Sequence, residues 1–249
     1  MCPFYYLKMA RVNKPFRFKQ FEIRQEQSSM KVGTDAVLLG AWTAVDGHDK
    51  ALDIGTGTGI ISMMLAQRNE NLKVRAIDIH QASVREALYN FSRSPFRDRL
   101  EALECSAQEF SCIGQKSYDL IVSNPPFFLE GTRSELTQRD RARHTSSLSF
   151  EDLIGTVDQL LTRNGCFALI LPVQEGQYFR KLAEAKGLYC ERYCEVRARA
   201  EKPIERLMME FVREDKPIKK ESLVINKESG RNNWTDDYQA LTRAFHIIL

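Results

Sequence analysis

Two short segments combine residue types that can do chemistry together. The first is Asp53-Ile54-Gly55-Thr56-Gly57-Thr58-Gly59, an acid followed by three glycines at alternate positions. Such glycines let the chain turn sharply and let a ligand approach the backbone where side chains would block it. Asp78 closes the next strand-like run, where a carboxylate can accept hydrogen bonds from both hydroxyls of a ribose. A nucleoside-containing cofactor is implied. A dinucleotide fingerprint would read G-x-G-x-x-G, the extra residue helping a helix N-terminus to receive a pyrophosphate. The tighter G-x-G-x-G found here, preceded by an acid, suits a ligand with an ammonium group and no phosphate. The second segment is Ser123-Asn124-Pro125-Pro126-Phe127-Phe128. Consecutive prolines lock the backbone and donate no hydrogen bond, leaving neighbouring carbonyls as outward acceptors. The Asn124 side chain and the Pro125 carbonyl can together accept both hydrogens of an NH2 group while Phe127 stacks on its ring.

These segments need elements that place them at one edge. Residues 50–54 form a short apolar run ending in the glycines, and 60–67 carries apolar residues at helical spacing, giving strand, turn and helix. Further strands are expected over 73–78, 100–104 and 118–122, the last running directly into Asn124, with a helix over 81–91. Ser149-Phe-Glu-Asp152 has the form of a capping box and Gly165 offers a stop, which predicts a helix over 150–163. The apolar run 166–171 suits a strand buried on both faces. A helix over 174–186, strands over 188–196 and 206–212, and a flexible polar hairpin over 197–205 follow. This alternation predicts an α/β fold, a doubly wound, seven-stranded, mostly parallel sheet over 49–213. Residues 1–48 form a basic N-terminal extension, and 214–249 a tail, with a helix over 236–244, that packs on the core.

Composition excludes some classes. The longest apolar run, Cys166 to Pro172, is far short of the roughly 18 residues needed to span a bilayer. Lys8 and Arg11 follow the short apolar start instead of preceding it, the wrong order for a secretory peptide, so a cytoplasmic protein is expected. Cys190 and Cys194, on one strand, would lie roughly 13 Å apart, too far for a disulfide or for sharing one zinc ion; reduced, structural cysteines and no metal are expected. The net charge of +3 is too small to announce a nucleic-acid binder. Its distribution says more. Seven basic residues (Lys8, Arg11, Lys14, Arg17, Lys19, Arg24, Lys31) face only Glu22 and Glu26 before residue 35, a local +5.

Taken together, Asp53 with its glycines, Asp78 and Asn124-Pro-Pro-Phe127 resemble the S-adenosylmethionine-dependent amino-methyltransferases of the Rossmann-like class I fold. More narrowly, Phe18-Lys-Gln-Phe21 with Met30-Lys-Val-Gly-Thr-Asp-Ala-Val-Leu-Leu-Gly-Ala-Trp42, and Tyr238 to Phe245, resemble the bacterial tRNA1(Val) (adenine(37)-N6)-methyltransferase family. That resemblance implies S-adenosylmethionine as cofactor. Asp53, Gly55, Thr56, Gly57 and Gly59 would hold its methionine part and Asp78 its ribose, with Ile79 and Asn124 among its contacts. Lys31, Thr34 and Asp35 would close the site from the N-terminal side. Where the family often carries an Asp against the cofactor's adenine, this chain has Ser106, which implies weaker binding there. Asn124, Pro125, Pro126 and Phe127 would be the catalytic residues and tRNA the partner.

An adenine must leave its stack to reach such a pocket, which suits a single-stranded loop such as an anticodon loop. Cations interleaved with aromatic faces are what single-stranded RNA contacts use. Lys14, Arg17 and Lys19, among Phe16, Phe18 and Phe21, and the cluster Arg133, Arg139, Arg141 and Arg143 are therefore the expected RNA-binding residues. Three alternatives stand beside this reading: a methyltransferase for a release-factor glutamine amide, one for the guanine amine of rRNA, and a non-catalytic RNA-binding protein. The first usually has Tyr after Asn-Pro-Pro, and the second tends to have His where Phe128 stands.

Overall fold

The computed structural model describes residues 14–28, 31–113, 116–126, 148–228 and 233–245. A short hairpin, β1 (Phe16–Arg17) and β2 (Glu22–Ile23), precedes helix α1 (Thr34–Trp42). The chain then alternates strand and helix through β3 (Lys50–Ile54), α2 (Ile60–Arg68), β4 (Lys73–Asp78), α3 (Gln81–Ser92), β5 (Leu100–Glu104), α4 (Ala107–Ile113) and β6 (Tyr118–Ser123). Helix α5 (Phe150–Leu160), β7 (Leu161–Pro172), α6 (Val173–Glu184), β8 (Tyr189–Arg197), β9 (Arg206–Val212), β10 (Lys219–Val224) and α7 (Asp236–Thr242) complete it.

The large sheet has the order β10-β8-β9-β7-β6-β3-β4-β5. Only β9 runs antiparallel to its neighbours. The expected doubly wound, mostly parallel α/β sheet is present, with eight strands where the sequence predicts seven. The eighth, β10, pairs with β8 over residues 219–224; its Lys-Lys-Glu-Ser start has no apolar pattern, and only the free edge of β8 makes it a strand.

Side-chain alternation along the strands splits the interior into two layers. Leu120, Val122, Ala168 and Ile170 face α1, α2, α3 and α7, whereas Ile121, Phe167, Leu169 and Leu171 face α4, α5 and α6. Helix α1 is buried from Ala36 to Trp42, so this part of the 1–48 extension belongs to the core. Leu223, Tyr238 and Phe245 of the tail are buried in the same layer.

Two local expectations change, and the cysteine pair stays unbridged as expected. Helix α5 has its cap, the Ser149 hydroxyl accepting from the Asp152 amide at 3.0 Å, but stops at Leu160. Leu161 is fully buried and already pairs with Tyr118, so Gly165 falls within the strand. Phe18 and Phe21 are 4% and 6% exposed, stacked on each other at 4.7 Å, and so are core residues and not faces offered to RNA. A register shift between Cys190 and Arg192 turns Cys190 and Cys194 to opposite faces of the sheet. Both are free thiols, and burial pushes Cys190 up to about 11 and Cys194 to about 12. No described helix is long and apolar enough to cross a membrane.

Candidate active site

Strand order reverses between β3 and β6, and a crevice at the carboxyl ends of such strands is where α/β sheets bind ligands. The glycine turn and Asn124 meet there. Ile54 is in register with Ser123, and the Ser123 hydroxyl donates to the Ile54 carbonyl at 2.9 Å, tying the two loops at their base.

The turn's first two amides, Gly55 and Thr56, donate to the Ile77 carbonyl of β4 at 2.9 and 3.1 Å. Gly55 has φ of 75° and no atom within 4 Å of the place a Cβ would take, so backbone conformation alone demands glycine there. At Gly59, φ 82°, a Cβ would also stand 2.4 Å from the Phe91 ring, so this glycine lets α2 and α3 close up. Asp78 fixes the turn from the side: one oxygen accepts from the Gly57 amide at 2.9 Å, the other from the His80 amide at 2.8 Å. Each oxygen keeps a lone pair for a ribose hydroxyl.

Asp53 lies beneath the turn and is fully buried. The hydroxyls of Thr56 and Ser62 both donate to its Oδ2 at 2.7 Å, and Oδ1 has no partner. Burial pushes its carboxyl up to about 6 against the restraining hydroxyls, leaving it mostly anionic at neutral pH. A buried anionic oxygen without a donor calls for one, and an ammonium group is such a donor.

Ser106 sits just past β5, beside Asp78, whose carbonyl accepts from the Cys105 amide at 3.1 Å. Its hydroxyl is engaged in a capping box at the start of α4: it donates to Glu109 Oε2 at 2.7 Å and accepts from the Glu109 amide at 3.1 Å. Ile79 is 43% exposed at the same rim. Asn124 Oδ1 is buried without a hydrogen-bond partner; Pro125 is buried and Pro126 exposed. Phe127, Arg133, Arg139, Arg141 and Arg143 lie outside the described residues.

The N-terminal segment reaches this turn through contacts that the motifs did not announce. Glu86 of α3, 3% exposed, accepts the amides of Glu26, Gln27 and Ser28 at 2.6, 3.0 and 2.7 Å. One turn on, Asn90 accepts from the Arg24 amide and donates to the carbonyls of Arg24 and Thr58, the latter inside the glycine turn. Ser28 is buried with its hydroxyl 3.6 Å from where a Gly57 Cβ would be. Lys31 and Thr34 are exposed, and Asp35, in the first turn of α1, pairs with Arg206 at the start of β9 at 2.8 Å. Glu86 and Asn90 are visible in the sequence as an i, i+4 polar pair, which by spacing alone reads as a solvated helix face.

Lys14, Arg17 and Lys19 are not brought to Asn124. Arg17 faces Glu22 at 3.7 Å, and the Lys19 ammonium donates to the Arg243 carbonyl at 2.6 Å. Their hairpin packs through Phe21 on Phe96, in the loop that enters β5 from the amino edge, opposite the crevice. Among the described residues no three His, Cys, Asp or Glu side chains form a metal-binding group.

The sequence matches the family described as "Methyltransferase small domain" over residues 28–173. A Trichodesmium erythraeum protein named tRNA1(Val) (adenine(37)-N6)-methyltransferase is 43% identical, over 93% of this chain and 97% of its own. A Vibrio campbellii protein of the same name is 36% identical, over 97% of this chain and 99% of its own. This chain belongs to that family. It is a methyltransferase, and S-adenosylmethionine is its cofactor. The residues fit that cofactor: a donor-seeking Asp53 oxygen for its ammonium, an unobstructed glycine turn and spare Asp78 lone pairs for its ribose. Solved structures agree on the fold. A predicted O-methyltransferase from Agrobacterium tumefaciens superposes with a TM-score of 0.68 at 19% identity, over 85% of this chain and 96% of that one. Pyrococcus horikoshii TYW2 in complex with MeSAdo gives 0.53 at 12% identity, over 78% and 68%.

Proposed function

We propose that this enzyme methylates the exocyclic N6 amine of an adenine in tRNA, specifically adenine 37 in the single-stranded anticodon loop of tRNA1(Val). The names of its relatives support the substrate. The observation that carries the chemistry is the buried Asn124 Oδ1 left without a donor beside the glycine turn.

The N6 lone pair of adenine is delocalised into the ring, so the amine is a poor nucleophile. Asn124 Oδ1 accepts one of its hydrogens and the Pro125 carbonyl the other, which favours a pyramidal nitrogen with its lone pair localised on one side. S-adenosylmethionine supplies an electrophilic methyl group when bound. The residues then act mainly by positioning and by excluding water. Ser123 and the prolines hold the acceptors still, Phe127 supports the base by stacking, and Asp53 and Asp78 fix the donor side. No strong base is required, because the nitrogen becomes strongly acidic once alkylated and releases its proton to water. Asn124→Ala should keep its affinity for S-adenosylmethionine in calorimetry and lose methyl transfer by at least about two orders of magnitude, since an oriented acceptor is removed. Full transfer by that variant would sink the assignment.

A further inference from the structure

Resting on the tRNA reading, we infer that the hairpin between β8 and β9 is the surface on which the RNA backbone lies beside the methyl-transfer loop, with Arg197, Arg199 and Lys202 binding its phosphates. Position is the first argument. Leu169 of β7 is in register with Ser123, and Pro172 with Arg206, so β9 begins two strands from Asn124, at the same carboxyl edge. Two strand spacings amount to roughly 10 Å, within the span of the nucleotides that flank an extruded base. Residues 198–205 project from that edge.

Charge is the second. Arg197 and Arg199 side chains are each 29% exposed, and their partners are Glu195 at 3.6 Å and Glu201 at 3.2 Å. Exposed pairs of this kind contribute about 1 kcal/mol or less, so a phosphate can take the place of either carboxylate. Lys202 is exposed and has no ion-pair partner among the described residues. Order is the third. The Ile225 amide donates to the Arg197 carbonyl and the Asn226 amide to the Ala198 carbonyl, both at 2.9 Å, and the Glu205 amide closes the base on Val196. Arg206 adds its pair with Asp35, tying the hairpin to α1. These bonds correct the expectation of a flexible hairpin over 197–205, and a preformed cationic loop loses little entropy on binding a polyanion. The rival basic hairpin, carrying Lys14, Arg17 and Lys19, stands at the opposite edge with Lys19 already bonded to a carbonyl.

The test compares Arg199→Gln/Lys202→Gln with Lys14→Gln/Arg17→Gln, each as full-length protein, in binding to unmodified tRNA transcript across a salt series and in methyl transfer. The first pair should raise KM for tRNA on the order of tenfold with kcat kept, and lower the salt slope by about 2, one for each phosphate no longer neutralised. Affinity for S-adenosylmethionine and thermal stability should stay unchanged. The second pair should change none of these. Unchanged tRNA binding and slope in the first pair, with wild type methylating the transcript, overturns the inference and leaves the tRNA reading intact. Wild type that neither binds nor methylates tRNA overturns both.

Discussion

Replacing Glu86 by Gln tests whether the N-terminal segment is held on the cofactor turn by one buried carboxylate. Glu86 Oε1 accepts the amides of Glu26 and Gln27, and Oε2 that of Ser28. The best placement of a Gln keeps its oxygen at the first site and turns its NH2 toward the Ser28 amide, donor against donor. One charge-assisted bond, worth about 1.5–3 kcal/mol, is removed, the other two fall to neutral strength, and a buried amide is left unpaired. A destabilisation of about 2–4 kcal/mol follows, which at about 2–4 °C per kcal/mol for a chain of this size lowers Tm by about 5–15 °C. Because Ser28 rests against Gly57, a loosened segment must be reordered on binding, and the Kd for S-adenosylmethionine should rise about tenfold, equivalent to about 1.4 kcal/mol. Glu109→Gln is the control: its carboxylate also accepts an amide, from Ser106, but in an exposed capping box, so the loss should stay below about 1 kcal/mol. Guanidinium unfolding and calorimetry read both quantities. Wild-type midpoint and affinity in Glu86→Gln would show that the carboxylate does not hold the segment.

Two further predictions concern the turn itself. The Asp53 carboxyl sits at about 6 in the fold against an ordinary 3.8, so the folded state binds its proton more readily than the unfolded one. Its contribution is therefore greatest below about pH 4 and is lost as pH rises through 6, about 3 kcal/mol in all. Asp53→Asn should abolish that component, so the stability of wild type relative to the variant should fall between about pH 4 and 6 and level off above about pH 7 in urea titrations; a constant difference contradicts the burial argument. Gly59 and Gly187 share nearly the same φ, 82° and 76°, but only at Gly59 does a Cβ meet a ring. Gly187→Ala should cost about 1–2 kcal/mol and Gly59→Ala at least about 2 kcal/mol more, with cofactor binding abolished only in the latter; equal unfolding midpoints would refute the steric part.

The parts legible in the sequence are those whose chemistry needs particular residues side by side. The glycine turn, Asp53, Asp78 and Asn124-Pro125 each sit within one loop or strand end, and the alternation of strands and helices around them fixes which edge they share. The supports are hidden because their partners are distant in sequence. Glu86 and Asn90 look like solvent-facing positions until the backbone of 24–28 is laid over them, and the pairing of Asp35 with Arg206, 171 residues later, leaves no local signal. β10 has a polar start and becomes a strand through the free edge of β8. The charge excess before residue 35 is local, yet the hairpin that carries part of it packs Phe18 and Phe21 inward, away from the crevice, and leaves only Phe16 exposed among its three phenylalanines.

The central claim is that adenine N6 in tRNA receives the methyl group. Incubating the enzyme with S-adenosylmethionine carrying a tritiated methyl and tRNA that lacks its own modification, then digesting to nucleosides, tests it most directly. Label is expected in N6-methyladenosine, and it should be absent when Asn124→Ala replaces the wild type. Label in guanosine, or in protein alone, would contradict it.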